Sequence, residues 1–390
     1  MENSCLLTPA SFNMEGVNPR AKNQLGNICL FYEKEKPLPD LNSYDIAIIG
    51  VEEDRYSHNN SGSAYAPARV REYFYSLYAG PIRPRIADLG NVKQGHAVSD
   101  TQFAVQEIVS DLVENNKSVI VIGGSQDLTY GIYRAFAKLN KVINIVAIDR
   151  KIDIDLYNTS IQSESYLKEI ISQQPNYLFN FSNIGYQTYF TDQEVLKLMD
   201  NLYFDLYRLG ISRKAIQETE AIIRNSDIIS FDISAARASE APGHAAATPN
   251  GFTGEEMCQL ARYAGLSDKL SVAGFFEYNP AFDKEGITAH LLAQMVWYFI
   301  EGHYSRITED PSEPSEDFIK YFVPVREHQQ GIVFFRSKNT DRWWMEVGSR
   351  HNIKPEYRRH NLIPCTYSDY QTACNNDIPD RWWKAYQKLM

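Results

Sequence analysis

The feature that most limits this chain is an alternation of short, almost continuously apolar runs with amphipathic helical stretches. Asp45–Val51, Ser118–Gly123, Ile143–Asp149, Asp227–Ile233 and Leu270–Tyr278 are rich in β-branched residues with few polar interruptions. A strand wet on one face alternates apolar and polar residues. A run that does not alternate reads as a strand buried on both faces, as in a parallel sheet. Between the runs lie helices with start signals. Ser99-Asp100-Thr101-Gln102 and Thr253-Gly254-Glu255-Glu256 have the form of capping boxes. Ala66-Pro67 opens another helix, expected to run to about Tyr78, with proline where the first turn tolerates it. Such alternation predicts an α/β fold, a doubly wound parallel sheet with helices on both faces. In these sheets ligands sit at the carboxyl ends of the strands.

The flanks do not share this rhythm. Residues 1–43 are polar and spotted with Pro and Asn, an irregular N-terminal arm. Residues 44–303 carry the α/β pattern, and 304–390 form a C-terminal extension expected to pack on the core. Within it, Glu309–Glu316 (EDPSEPSE) reads as a linker, and Gly331–Phe335 and Trp343–Val347 flank the turn-like SKNTD segment as a hairpin. Asp380–Leu389 reads as a terminal helix. The extension holds Trp343, Trp344, Trp382 and Trp383, four of the five tryptophans. They read as anchors burying aromatic area, or else as a patch for a partner.

Composition excludes several function classes. With 39 basic and 49 acidic residues the net charge is −10, which gives no general attraction for phosphate backbones and argues against nucleic acid. Apolar runs such as Ser118–Gly123 fall far short of the ~20 residues of a membrane helix. The start, MENSCLLTPASFNMEG, lacks a basic segment followed by an apolar core, so no signal peptide is expected. Five scattered cysteines without a C-x-x-C pair argue against a disulfide framework or a Cys-rich zinc site. A cytoplasmic compartment is the expectation. Ligand and protein partner are not readable from the sequence, and a homo-oligomer is left open.

Chemistry-bearing residues collect at strand ends: Gly123-Gly124-Ser125-Gln126-Asp127, Asp149-Arg150-Lys151-Ile152-Asp153 and Ser230-Phe231-Asp232-Ile233-Ser234. Asp149, Asp153 and Asp232 on one sheet edge would repel. They need a metal, a Lys or Arg, or protonation to coexist.

In this order the segments resemble the ureohydrolase superfamily of arginase, agmatinase and formimidoylglutamase, with its patterns G-G-D-H-S, D-A-H-x-D and S-x-D-x-D-x-x-D-P. Other stretches agree: Gly62–Arg71 with the family's G-x-x-x-G-P-x-x-I-R helix, and Ala87–Val92 with its D-x-G strand. Ala241–Glu255 resembles its A-P-G-T-G-T-P-x-P-G-G segment, Phe276–Pro280 its E-x-N-P strand, and Thr288–Gly302 its closing helix. The resemblance covers roughly residues 43–303. It implies a three-layer arginase-like fold and hydrolysis of a guanidino or formimino C–N bond by a hydroxide bridging two Mn²⁺ ions.

Residue by residue, that site is broken. The first ligand histidine aligns with Gln126 and the second with Lys151. Asp149, Asp153 and Asp232 survive, Ser234 replaces another aspartate, and Arg237-Ala238 replaces D-P. No histidine lies between His96 and His244, so the loop after the second motif also lacks the family's proton-shuttling histidine. Asp149, Asp153, Asp232 and the carbonyl of Gln126 could still offer oxygens to a single hard cation. A protonated Lys151 has no lone pair for a metal, and is expected to lend its charge to Asp149, Asp153 and Asp232 instead. Glu277 matches the glutamate that receives the substrate guanidinium, or else is a buried carboxylate paired with Lys151 or Arg150. His244 reads as incidental. The expectation is a non-catalytic binding or scaffold protein with no metal cofactor. The alternative is an active formimidoylglutamase- or agmatinase-type hydrolase with a rebuilt site.

Overall fold

Side chains of successive residues in each apolar run point to opposite faces of one sheet, and both faces are covered. Ile46, Ile48, Ile120 and Ile122 pack on one side with Val70, Phe74, Leu260 and Phe299. Ala47, Ile49, Val119 and Val121 pack on the other with Val105, Ile108, Ile132 and Phe136. That is why these strands show no apolar–polar alternation. The result, in a computed structural model of the chain describing residues 5–157, 162–312, 315–325, 328–348 and 354–389, is a three-layer α/β fold.

Eight parallel strands form the body of the sheet: β1 Ile46–Val51, β2 Ile86–Val92, β3 Ser118–Gly123, β4 Ile143–Ile148, β5 Leu178–Tyr186, β6 Asp205–Arg208, β7 Ile228–Asp232 and β8 Val272–Phe276. Their spatial order is β2-β1-β3-β8-β7-β4-β5-β6. The dipeptides Leu7–Thr8 and Leu30–Phe31 of the arm add to the β2 edge. The five expected runs are all strands: Ser118–Gly123 keeps its bounds, and the other four are trimmed by one or two residues at one or both ends. β2, which contains the D-x-G-like stretch Ala87–Val92, and β5 and β6 are additional to them.

Helix α1 spans Ala66–Phe74 and ends earlier than expected, at a Tyr75 cap whose N–H bonds Arg71 O. Helix α2 spans Val98–Glu114, so its N-cap is Ala97 rather than Ser99. The polar half of the cap falls to Asp100, whose Oδ2 accepts from Ala97 N at 2.8 Å. Helix α3 is Leu128–Lys138 and α4 is Gly254–Leu266. At α4 the capping box is complete: Glu256 N donates to Thr253 Oγ1 (3.1 Å) and Thr253 N to Glu256 Oε2 (2.7 Å). Helix α5, Ile287–Tyr304, closes the domain against α4. Among the described residues no helix is long and apolar enough to cross a membrane.

The extension builds a second, antiparallel sheet: β9 Phe318–Val325, β10 His328–Ser337, β11 Trp343–Glu346 and β12 Leu362–Cys365. β10 and β11 are the hairpin around SKNTD. Residues 313–314 of the expected linker lie outside the described residues. Trp343, Trp344 and Trp382 are buried, whereas Trp383 is exposed. Helix α6, Asp380–Leu389, is the terminal helix. The extension touches the main sheet where its strands begin: Arg359 pairs with Asp227 just before β7, His360 stacks on Phe179 of β5 (centroids 3.9 Å apart), and Lys384 Nζ donates to Phe204 O at 2.8 Å, before β6. Among the described residues these contacts lie at the amino ends of the strands, away from the carboxyl ends.

Candidate functional site

Four strands deliver the strand-end residues to one place. β3 ends at Gly123-Gly124, where the chain runs against Glu53. A Cβ on Gly124 would lie 1.7 Å from Glu53 O, so only glycine allows the turn that presents Gln126. β4 delivers Asp149, Lys151 and Asp153, and β7 delivers Asp232. Glu277 follows β8 in a left-handed conformation, φ +64°, uncommon for a residue with a side chain. That turn brings its carboxylate back into the cluster. Gln126 N donates to Oε1 (2.9 Å), and Asn60 Nδ2 (2.9 Å) and Ser57 Oγ (3.2 Å) donate to Oε2.

The Gln126 amide settles how the aspartates are held. The side-chain amide lies between Ser230 Oγ and the two aspartates; assigned so that each end meets a complementary partner, its nitrogen donates to Asp153 Oδ2 (2.9 Å) and Asp149 Oδ2 (3.3 Å) and its oxygen accepts from Ser230 Oγ (3.1 Å). In that assignment the carbonyl faces away from the carboxylates. Asp149 Oδ1 accepts from Lys151 N (3.0 Å), and Asp232 Oδ1 from Ser234 N (2.7 Å). Ser234 Oγ is buried without a hydrogen-bond partner among the described residues.

Burial drives the protonation of the cluster. It raises Asp149 to about 7, helped by the charge of Asp232. It raises Asp153 well above the ordinary carboxylate range, helped by Asp149, with which Asp153 is hydrogen bonded. A hydrogen bond between two carboxyl groups requires one proton between them. Glu277 is pushed up to about 8, again by burial first and Asp232 second. Protonation thus supplies much of the compensation that three converging aspartates need.

Lys151 is not seated as expected. Its ammonium pairs with Glu164, and reaches Asp153 Oδ1 only at 3.9 Å. Among the described residues it makes no ion pair with Asp149 or Asp232. Burial lowers its pKa, but Asp153 and Glu164 outweigh that and hold the ammonium charged. Because Asp153 can keep its proton and the half-exposed Glu164 can turn to water, Lys151→Met is expected to cost about 1–2 kcal/mol. That is less than the ~3–5 kcal/mol of a stranded buried charge. Urea unfolding at pH 7 measures it.

One expectation for a single residue changes. Glu277 pairs with neither Lys151 nor Arg150; Arg150 bonds Ala246 O and lies over the Phe190 ring. His244 lines the cavity of the cluster. Ala246 N donates to its Nδ1 (2.9 Å), which places the ring proton on Nε2, 3.8 Å from Glu277 Oε2. Burial keeps it neutral by lowering its pKa. His58, Gln126, Lys151, Asp232, His244 and Glu277 line a cavity of about 10 Å³, room for about one water. Asn60, Ser57 and Glu164 carry no motif and meet the cluster only through folding, whereas Ser230 is the serine of the S-x-D-x-D stretch. Among the described residues no group of three or more His, Cys, Asp or Glu is arranged to hold a metal.

Known proteins place this arrangement in a family. The Arginase family model matches residues 44–301. Formimidoylglutamase of Staphylococcus aureus is 26% identical over 267 residues, covering 66% of this chain and 86% of the relative. In fold, the chain is similar to Trypanosoma cruzi formiminoglutamase solved with Mn²⁺ (TM-score 0.62, 17% identity, 70% of this chain and 100% of that one). It is also similar to formimidoylglutamase of Bacillus subtilis (TM-score 0.65, 15% identity, 76% and 95%). A match over residues 44–301, on a parallel sheet with the strand-end cluster in place, shows that the chain belongs to the arginase family.

Proposed function

We propose that this arginase-family chain has exchanged its dinuclear manganese centre for a network of protons, amide groups and an ammonium, and works by binding rather than by hydrolysing C–N bonds. The carrying observation is the Gln126 amide. Assigned by its hydrogen bonds, it turns its nitrogen toward Asp149 and Asp153, where a ligand to a shared cation would present a lone pair. A donor set of one outward-facing amide oxygen, an ammonium and a serine does not fit two Mn²⁺ ions, so no step is routed through them. A bridging hydroxide needs two Lewis acids to form and hold it at neutral pH.

The similarity to formimidoylglutamases supports a second reading, an active C–N hydrolase with a rebuilt centre. His244 and Glu277 facing each other in the cavity would be its acid–base pair. The two readings part on one experiment. Elemental analysis after incubation with Mn²⁺ and desalting is expected to give well under two ions per chain. The same protein should release no formamide from formiminoglutamate and no urea from arginine or agmatine. Two equivalents of manganese, or turnover lost in Glu277→Gln, would establish the hydrolase instead.

A further inference from the structure

Helix α6 turns a basic stripe inward. Arg381, Lys384 and Lys388 recur at the spacing of one helix face, and all three line a cavity between the extension and the beginnings of β4, β5 and β6. This end of the sheet is remote from the site above. From Asn144, in the cavity wall, to Asp149 along β4 is about 16 Å at ~3.3 Å per residue.

The charges in the wall do not balance. Asp205 is the carboxylate among the lining residues, set against three cations. It is shared already: Lys384 Nζ lies 3.5 Å from its Oδ1, and Asn180 Nδ2 donates to its Oδ2 (2.9 Å). Arg381 looks partly away, with Asp369 3.7 Å from Nη1, while its Nε is buried without a hydrogen-bond partner. Lys388 donates to the neutral amide oxygen of Asn180 and makes no ion pair with a carboxylate among the described residues. Its ammonium is pressed between the rings of Phe179 and Phe204, 5.5 and 5.7 Å from their centroids. Burial, with Asp205 opposing and Lys384 reinforcing it, pushes its pKa down to about 8.

We propose that this cavity binds a small oxyanion, a phosphate or the carboxylate of a metabolite, between Lys384, Lys388 and Arg381. The space open to solvent is about 30 Å³, room for about two waters and hence for one carboxylate or, with Lys388 released from Asn180, one phosphate. An oxyanion there supplies the missing countercharge and gives charge-assisted partners to two ammonium groups. The ligand would also tie α6 to the main sheet.

The test is thermal unfolding of the full chain titrated with sodium phosphate or sodium acetate, against sodium chloride at equal ionic strength. A bound ligand raises Tm saturably, whereas general salt effects are shared with chloride. The expected result is a saturable rise with at least one oxyanion. In Lys388→Met its midpoint should move at least about ten-fold, as expected for a lost charge-assisted hydrogen bond. Response to phosphate alone assigns a phosphate ligand, and response to acetate assigns a carboxylate. No rise beyond chloride, or the same midpoint in Lys388→Met, overturns the proposal. If Lys388→Met does not fold, acylation of Lys388 in the parent at pH 8 decides. Protection by the oxyanion but not by chloride supports the site, and equal labelling overturns it.

Discussion

Asp153→Asn is expected to be more stable than the parent at pH 8.5 and close to it at pH 5. In the folded chain Asp149 and Asp153 share a proton, and burial raises both. A carboxyl with a raised folded pKa keeps its proton after the unfolded chain has released it. Stability is therefore full below the unfolded pKa, near 4, and falls as pH rises towards the folded value. The fall that asparagine removes is that of Asp153, which burial and the charge of Asp149 raise well above the ordinary carboxylate range. Asparagine carries the needed hydrogen at every pH. Its nitrogen can donate to Asp149 and its oxygen accept from Gln126, reproducing the protonated pair. The gap between parent and variant should thus open from pH 5 to 8.5 by a few kcal/mol, read by urea unfolding across that range. Histidines with lowered pKa, such as His303 and His360, act equally in both chains and cancel. In a chain relying on Asp153 as a metal ligand, the same change would destabilise and loosen the metal. The sign alone separates the two.

Arg71→Ala should cost about 3–5 kcal/mol, the range for stranding one partner of a fully buried pair. Arg71 and Asp88 side chains are both 0% exposed. The guanidinium grips Asp88 with Nε (2.7 Å) and Nη2 (2.9 Å), Asn91 Oδ1 with Nη1 (2.6 Å) and Gly90 O with Nη2 (3.0 Å). Tyr75 OH adds a further bond to Asp88. The group braces α1 against β2, so its loss leaves a carboxylate charged in the core. Arg71→Met, which keeps the stem volume, should be nearly as costly. Arg71→Met with Asp88→Asn should recover part of the loss, because no charge is then stranded. Chemical denaturation of the three variants measures the coupling.

These residues also show what a sequence exposes. The strand-end Asp149, Asp153 and Asp232 were legible because each stands at the end of an apolar run, whereas the segments of Arg71 and Asp88, and Glu277, were legible only through the family resemblance. β5 was not, because Asn180, Ser182 and Asn183 interrupt it. Their polarity is absorbed within the fold, Asn183 Nδ2 donating to Lys151 O (2.7 Å) and Asn180 to Asp205. β6 is four residues long and half-exposed, too short to show a period. Glu164 and Asn60 were invisible for another reason. They lie on loops, and Asn60 reaches Glu277 across 217 residues of chain. The seating of Lys151 was misjudged for that same reason: its partner Glu164 carries no motif.

The extension meets the main sheet where its strands begin, and that placement has a consequence for biosynthesis. Asp227, Phe179 and Phe204 acquire Arg359, His360, Lys384 and Lys388 only after every recognisable motif has been translated. Until these leave the ribosome, the amino edge of β5, β6 and β7 stands bare, with a charged aspartate and two aromatic rings in water. Maturation of this molecule is a late event: the stretch that carries every recognisable motif, ending at Gly302, is translated roughly sixty to ninety residues before the side chains that cover the amino ends of these strands.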